Sequence, residues 1–115
     1  MTNIRRLTTP DQNFSFDIDP EDISELLITY KQKNKIVLEK NKGDLAFYPY
    51  EEDGGTRWLG YFTFTQEETG NFNIHDHVLV QVRAVAYGRA FVSEIWEVDI
   101  YDVLNPVILG GEENE

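Results

Sequence analysis

Strict alternation of side chains in the C-terminal third of the chain constrains the fold more than any other feature. Across residues 77–86, valine or alanine recurs at every second position. Successive side chains of a β-strand point to opposite faces, so this spacing predicts a strand with one buried face. Residues 87–89 predict a tight turn, and residues 90–101 are predicted to return as the antiparallel partner.

Shorter stretches of the same kind fill most of the chain, separated by clusters of turn-forming residues. Strands are predicted at residues 14–18, 26–32, 35–40, 45–48 and 57–65. Residues 66–74 lack the two-residue period and predict a crossover that carries one helical turn. Since no segment of helical length has a helical period, the sequence predicts an all-β fold, an immunoglobulin-like antiparallel β-sandwich of about seven strands.

Several local features refine this prediction. Residues 23–26 are interpreted as a short helical turn, and Pro49 is expected to end its strand or confine it to a sheet edge. Gly60 predicts a bulge within its strand. Phe72 and Ile74 are expected to plug the underside of the crossover.

The length of 115 residues matches one compact domain. We expect residues 1–109 to form a single β-sandwich domain and residues 110–115 to form a flexible acidic tail. The chain has no cysteine, which excludes disulfides and thiolate chemistry and leaves side-chain packing as the source of stability.

The net charge of −11 argues against a surface that binds nucleic acid directly. It leaves open an alternative function, an acidic inhibitor that mimics nucleic acid and blocks a basic groove of a host enzyme. The N-terminal residues are not followed by an apolar run, and no stretch reaches bilayer length. We therefore expect no membrane association and synthesis in the cytoplasm.

The sequence offers few groups for catalysis or metal binding. His75 and His77 have the spacing of a metal pair on one strand face, with Asp76 or Glu68 as a third ligand, but no metal-binding motif surrounds them, so they are interpreted as polar residues at a strand start. The acidic residues of segment 17–22 lack the register of a calcium loop and are interpreted as turn-forming, and those of segment 51–53 are interpreted as a solvated loop. The sequence predicts a protein that is not an enzyme, with no cofactor and no metal.

Aromatic side chains gather around the glycine-rich loop at residues 54–55. Tyr48, Tyr50, Trp58 and Tyr61 are the candidate partner-binding residues, because large aromatics with polar tips favour the centres of interfaces. Trp58 also shares parity with Phe62, which points to the core. A carbohydrate-binding module that stacks sugars on the tyrosines is a further alternative.

Several stretches, in order along nearly the whole domain, resemble a family of small proteins encoded in the virion-structure gene clusters of phages and prophages of Gram-positive bacteria. They are RRLTTP (5–10), ITYKQ (28–32), KIVLEK (35–40), FTQEET (64–69), VQVR (80–83) and SEI (93–95). The chain departs from the family pattern in residues 47–59, which are longer and more aromatic, and in its more acidic tail.

The resemblance implies a non-enzymatic structural or assembly-accessory protein that acts through protein–protein contacts in a capsid, connector or tail. Its partners would be other phage structural proteins or copies of itself. Its location would be the host cytoplasm during assembly and then the virion.

Overall fold

The computed structural model describes residues 3–110, which form short strands joined by tight turns. The strands are β1 (Ile4–Arg5), β2 (Asp11–Phe16), β3 (Ile23–Gln32), β4 (Lys35–Asn41), β5 (Ala46–Glu52), β6 (Gly55–Thr63), β7 (Val78–Ala86), β8 (Arg89–Val92), β9 (Trp96–Val98) and β10 (Ile100–Tyr101). A short helix α1 (Gln66–Gly70) follows β6, and 3₁₀ turns lie at Pro20–Asp22 and Lys42–Asp44. Within residues 3–110, helices of bilayer-spanning length and hydrophobicity are absent.

The strands form two facing antiparallel sheets. One sheet has the order β2-β6-β5, and the other has the order β4-β3-β7-β8, with β9 also pairing with β7. The first strand pairs in parallel with the last, β1 with β10. Immunoglobulin sandwiches face strands B, E and D with strands C, F and G, and some add C′ beside C; β2 to β9 follow that order, with β4 in the C′ position. The predicted immunoglobulin-like β-sandwich is therefore confirmed. The described chain has ten strands because the return strand is divided into β8, β9 and β10 and because β1 is an additional short strand.

The core lies between the two sheets and is built around one aromatic side chain. Tyr30 of β3 is fully buried, and its ring centroid lies 6.2, 5.5 and 6.1 Å from those of Phe62, Phe64 and Phe72. Its hydroxyl donates a hydrogen bond to the buried Gln12 Oε1 at 3.1 Å. Antibody domains fill this region with a tryptophan and a disulfide. Here a cluster of aromatic rings fills it, in a chain that has no cysteine.

Tight turns connect the hairpins as the sequence predicts. Lys33 and Asn34 join β3 to β4 with φ values of 47° and 62°, and Tyr87 and Gly88 join β7 to β8 with φ values of 55° and 73°. Two successive residues with positive φ match the right-handed twist of the flanking strands. Both predicted hairpins are confirmed by their registers.

The predicted helical turn at residues 23–26 is wrong, because these residues begin β3. Ile23 and Leu26 are both buried although they lie three positions apart. The register against β7 shifts between Ile23 and Glu25. This bulge returns both apolar side chains to the core face and imitates a helical spacing in the sequence.

The predicted bulge at Gly60 is also wrong. The register of β6 runs without a shift past Gly60, which pairs with Phe14 on one side and Phe47 on the other. A Cβ atom at this position would lie 2.7 Å from the Phe47 ring and 2.9 Å from the Phe16 ring. Glycine is required here because two rings close over the strand.

The edge position predicted for Pro49 is confirmed, but the proline does not end its strand. β5 continues through it to Glu52, on the outer edge of the three-stranded sheet, where a missing N–H removes no ladder bond. The predicted return strand at residues 90–101 divides at residues 93–95. Phe72 is buried under the crossover as expected, whereas Ile74 is exposed.

Candidate functional site

The outer face of the β2-β6-β5 sheet carries three tyrosines. Tyr61 lies next in sequence to the buried Phe62 and so points away from the core. Across the β5–β6 register, Tyr48 pairs with Leu59 and Tyr50 with Arg57. Paired residues of an antiparallel sheet share a face, so Tyr48, Tyr50 and Tyr61 form one surface, which we call the tyrosine face.

Trp58 does not belong to the tyrosine face. It pairs with Phe16 on one side and Pro49 on the other, and it shares the inward parity of Phe62. The side chain is half-buried at the end of the inner face. The prediction that Trp58 follows the core parity is confirmed, and its grouping with the three tyrosines in one patch is wrong because the sheet separates them.

The tyrosine rings are held in defined positions. The rings of Tyr48 and Tyr61 lie 6.0 Å apart at an interplanar angle of 71°, an edge-to-face arrangement. Tyr48 remains 49% exposed. The Tyr50 hydroxyl lies 2.8 Å from the Ser15 Oγ on β2. A partner would therefore meet rings whose orientation is already fixed, which lowers the entropy cost of binding.

The side chain of Arg57, on β6, links the three strands of the β2-β6-β5 sheet. Its guanidinium donates hydrogen bonds to Ser15 Oγ at 3.0 and 3.2 Å. It also pairs with Asp17 at 2.6 Å and with Glu52 at 3.3 Å. Exposed ion pairs stabilise a fold by little, so the main effect of this network is to orient Tyr50 and the strand ends. Sequence reasoning missed Arg57, although it shares the outward parity of Tyr61.

Negative charge borders the tyrosine face at the β5–β6 turn. Asp53 and Gly54 form this turn with φ values of 52° and 79°. Glu51 accepts a hydrogen bond from Thr56 Oγ1 at 2.9 Å, and Glu52 pairs with Arg57. The predicted loop at residues 51–53 is wrong for Glu51 and Glu52, which end β5, and right for Asp53, because the turn itself is limited to Asp53 and Gly54. These carboxylates give the edge of the tyrosine face a negative rim.

The other acidic cluster serves local structure. Asp19 Oδ1 accepts a hydrogen bond from the Glu21 backbone N–H at 2.9 Å and begins a 3₁₀ turn. Asp22 Oδ2 accepts one from the Tyr87 hydroxyl at 3.1 Å, and this bond raises the pKa of Tyr87 above its ordinary value. The interpretation of residues 17–22 as turn-forming is thus confirmed for this region.

The histidines have separate partners. His77 Nδ1 lies 2.7 Å from Asp99 Oδ1, while the His75 backbone N–H donates to Asn73 Oδ1 at 2.8 Å. Glu68, considered as a third ligand, pairs with Lys40 at 2.6 Å. Across the described part of the chain, no three His, Asp or Glu side chains converge on a possible metal position.

The sequence analysis missed two buried polar side chains, whose hydrogen bonds hold neighbouring loops in place. Gln32 Nε2 donates to the carbonyls of Asn73 and Asp76 at 2.8 and 3.0 Å, and Gln32 Oε1 accepts from the Asn73 N–H. Thr69 Oγ1 donates to the Thr8 carbonyl at 2.9 Å and accepts from its N–H at 3.2 Å. Gln32 shares the inward parity of Ile28 and Tyr30 in β3, and this signal could have identified it. Thr69 lies in the crossover, which has no two-residue period and gave no such signal.

Comparison with protein-family models and with curated protein sequences finds no match. Among solved structures, the chain is similar to crystal structures of strand-swapped dimers of mouse leukocyte-associated immunoglobulin-like receptor 1. One, of the extracellular domain, shares 11% identity over 86% of this chain and 85% of that chain, with a TM-score of 0.42. The other, of the immunoglobulin-like domain, shares 12% identity over 87% and 85%, also with a TM-score of 0.42. The fold assignment therefore depends on the strand order of the chain itself.

Proposed function

We propose that this protein is a non-enzymatic structural or assembly component of a phage-type particle that binds a particle protein through its tyrosine face. The observation that carries the proposal is the edge-to-face pair of the exposed Tyr48 and the half-buried Tyr61 beside the anchored Tyr50. Tyrosine is enriched at the centres of protein interfaces because it buries a large area at low entropy cost. The resemblance to the virion-cluster family supports the phage setting.

The charge around the tyrosine face selects the kind of partner. The net charge of −11 and the rim formed by Glu51, Glu52 and Asp53 repel acidic surfaces. A capsid, connector or tail protein with a basic patch around an apolar centre fits this surface. Association would take place in the host cytoplasm during assembly and would continue in the virion.

The test is binding of the purified chain to purified capsid, connector and tail proteins of the element that encodes it. The double variant Tyr48→Ser/Tyr61→Ser should weaken binding at least about tenfold, since truncation of a central interface aromatic typically costs about 2 kcal/mol or more. The matched control is Tyr87→Asn, which removes a tyrosine that is 65% exposed on the β7–β8 turn, away from the tyrosine face. This control should bind as the unmodified chain does.

Two outcomes contradict the proposal. One is no association with any particle protein at either low or physiological salt. The other is a double variant that folds, by circular dichroism, and binds as tightly as the unmodified chain. Binding that weakens with added salt is expected from the acidic rim.

A further inference from the structure

The sandwich is open along one side, between one edge strand of each sheet. In residues 3–110, β2 pairs with β6 alone and β8 pairs with β7 alone, so both present a free edge. Between these edges lies a groove of about 710 Å³. Its apolar lining includes Phe14, Phe16, Ile18, Val82, Ala84, Phe91, Val92 and Trp96. Exposed edges beside an apolar groove are a template for another strand.

The same molecule carries an apolar segment that is not packed on either sheet. Residues 103–109 follow β10, contain no charged side chain and include no strand. Leu104 is fully exposed, and Val107 and Leu109 are also exposed. Among the described residues, its far end is held by two hydrogen bonds between the Gln66 side-chain amide and the Leu109 backbone, at 2.7 and 3.0 Å, and its start by one from the Val103 N–H to Asp102.

The backbone of this segment suits an added edge strand. In an extended chain, residues 103, 105, 107 and 109 direct their backbone groups to one side, and Pro106 directs its missing N–H to the other. The Gln66 amide already binds both the N–H and the carbonyl of Leu109, as a neighbouring strand would. Seven extended residues span about 23 Å, which matches the length of the six-residue β2.

The start of the segment is anchored at the β1–β10 end. The Asp102 carboxylate accepts hydrogen bonds from Arg6 at 2.6 Å and from the Val103 N–H at 2.8 Å, and the Asp102 carbonyl accepts one from Arg5 at 2.7 Å. The bond from Val103 and the contact with Arg6 lower the pKa of Asp102. Both arginines thus hold the start of the segment at the β1–β10 end, while Gln66 of α1 holds its far end.

The exposed apolar area is close to what a stable dimer requires. The side chains concerned are 38% to 107% exposed: Phe91, Val92, Ile95, Leu104, Val107, Ile108 and Leu109. At roughly 100 Å² of apolar area for each fully exposed side chain, they offer on the order of 450 Å² per chain. Apolar atoms supply about 60% of an interface, so the full area is on the order of 750 Å² per chain, against about 800 Å² in stable complexes.

We propose that residues 103–109 of one chain insert as an extra strand into the β2–β8 groove of a second copy, and that the second copy returns the same contact. Such a reciprocal exchange is a symmetric dimer with two identical contacts. Gln66 holds the segment in the unpaired chain. Because the segment is uncharged, its insertion adds no electrostatic repulsion between two chains that each carry a net charge of −11. Ser15 and Arg57 line the groove and also support the tyrosine face, so the substitutions that test this inference lie at other positions.

The experiment is sedimentation of the full chain from low to high micromolar concentration, with substitutions on each half of the contact. Val107→Asp places a charge in the inserted segment, and Val92→Glu places one in the groove. Each should raise the dimer dissociation constant at least about tenfold, which corresponds to about 1.4 kcal/mol. Ile36→Glu is the matched control, because Ile36 is 51% exposed on β4, outside the groove, and should dimerise as the unmodified chain does.

Mixing the two variants makes the test specific. The Val107→Asp chain keeps an intact groove and the Val92→Glu chain keeps an intact segment, so a mixture should form a mixed dimer with one of the two contacts. Gln66→Ala, which frees the segment, should dimerise more tightly than the unmodified chain. A chain that stays monomeric at all concentrations overturns the proposal, as does a mixture that forms no mixed dimer while the single variants remain folded.

Discussion

At the scale of single residues, Tyr30 shows how a chain without cysteine stabilises this sandwich. Its ring packs against three phenylalanines, and its hydroxyl donates a hydrogen bond to the side chain of the buried Gln12. Full burial disfavours the charged phenolate and, with a contribution from Glu68, raises the pKa of Tyr30 well above its ordinary value. The alternation in β3 predicts an inward side chain here, but the partnership with Gln12 depends on the distance between two sheets and has no local signal.

This pKa shift makes stability depend on pH in the alkaline range. Above about pH 10 a tyrosine in the unfolded chain loses its proton, while folded Tyr30 keeps it. The unfolded state then binds fewer protons, so the free energy of unfolding falls as pH rises. Tyr30→Phe should remove this part of the fall, and it should cost about 1–2 kcal/mol at neutral pH because Gln12 loses its donor.

Urea unfolding at several pH values between 8 and 11 measures both effects. Tyr48→Phe, at an exposed position, is the control and should keep the alkaline fall. If Tyr30→Phe and the unmodified chain lose stability in parallel above pH 10, the burial argument is wrong.

At the scale of elements, the sequence predicts most strands and turns, because β7, the β3–β4 hairpin and α1 follow local rules. The predictions fail where pairing with a neighbouring strand determines the local structure. A bulge against β7 places Ile23 and Leu26 on one face, and the contact of Ser93 with Val82 accompanies the division of the last strand. All three tyrosines of the tyrosine face are among the candidate binding residues that the sequence predicts. The parity of Trp58 with Phe62 already points to the core, and the register confirms that it does not share a face with the three tyrosines.

Gly60 provides the prediction at this scale. Gly60→Ala brings a Cβ within 2.7 and 2.9 Å of the Phe47 and Phe16 rings, which must then move. We expect a loss of about 1–3 kcal/mol in unfolding free energy, in the range of overpacked cores. Gly55→Ala is the control in the same strand, because its Cβ meets nothing closer than 3.9 Å.

Chemical denaturation of both variants, with near-ultraviolet circular dichroism of the aromatic rings, measures the outcome. Equal stability of the two variants would show that the rings give way freely and would contradict the close-approach explanation of Gly60.

At the scale of the whole molecule, charge and open edges determine behaviour together. The chain has 21 acidic and 10 basic residues, and six ion pairs or charged contacts link described side chains. Most carboxylates therefore repel one another in the folded state. The β2–β8 groove lies outside what sequence patterns predict, since it is formed by the edges of two different sheets.

Repulsion between carboxylates predicts a stabilising effect of salt. Raising NaCl from about 10 mM to about 150 mM shortens the screening length from about 30 to about 8 Å and should raise the midpoint of thermal unfolding by several degrees. Near pH 4, where about half the carboxylates are protonated, the same addition should have little effect. Differential scanning calorimetry measures both, and a midpoint that falls with salt at pH 7 would mean that the ion pairs dominate.

The parallel pair β1–β10 determines how the domain responds to pulling. Tension applied before Ile4 and after Tyr101 draws the two strands in opposite directions along their common axis. The Ile4 N–H to Asp99 and Arg6 N–H to Tyr101 hydrogen bonds, at 2.9 and 2.7 Å, then bear the load together and must break at once. Hydrogen bonds that are loaded one after another would break at lower force. The short β1–β10 pair therefore acts as a mechanical clamp on the domain.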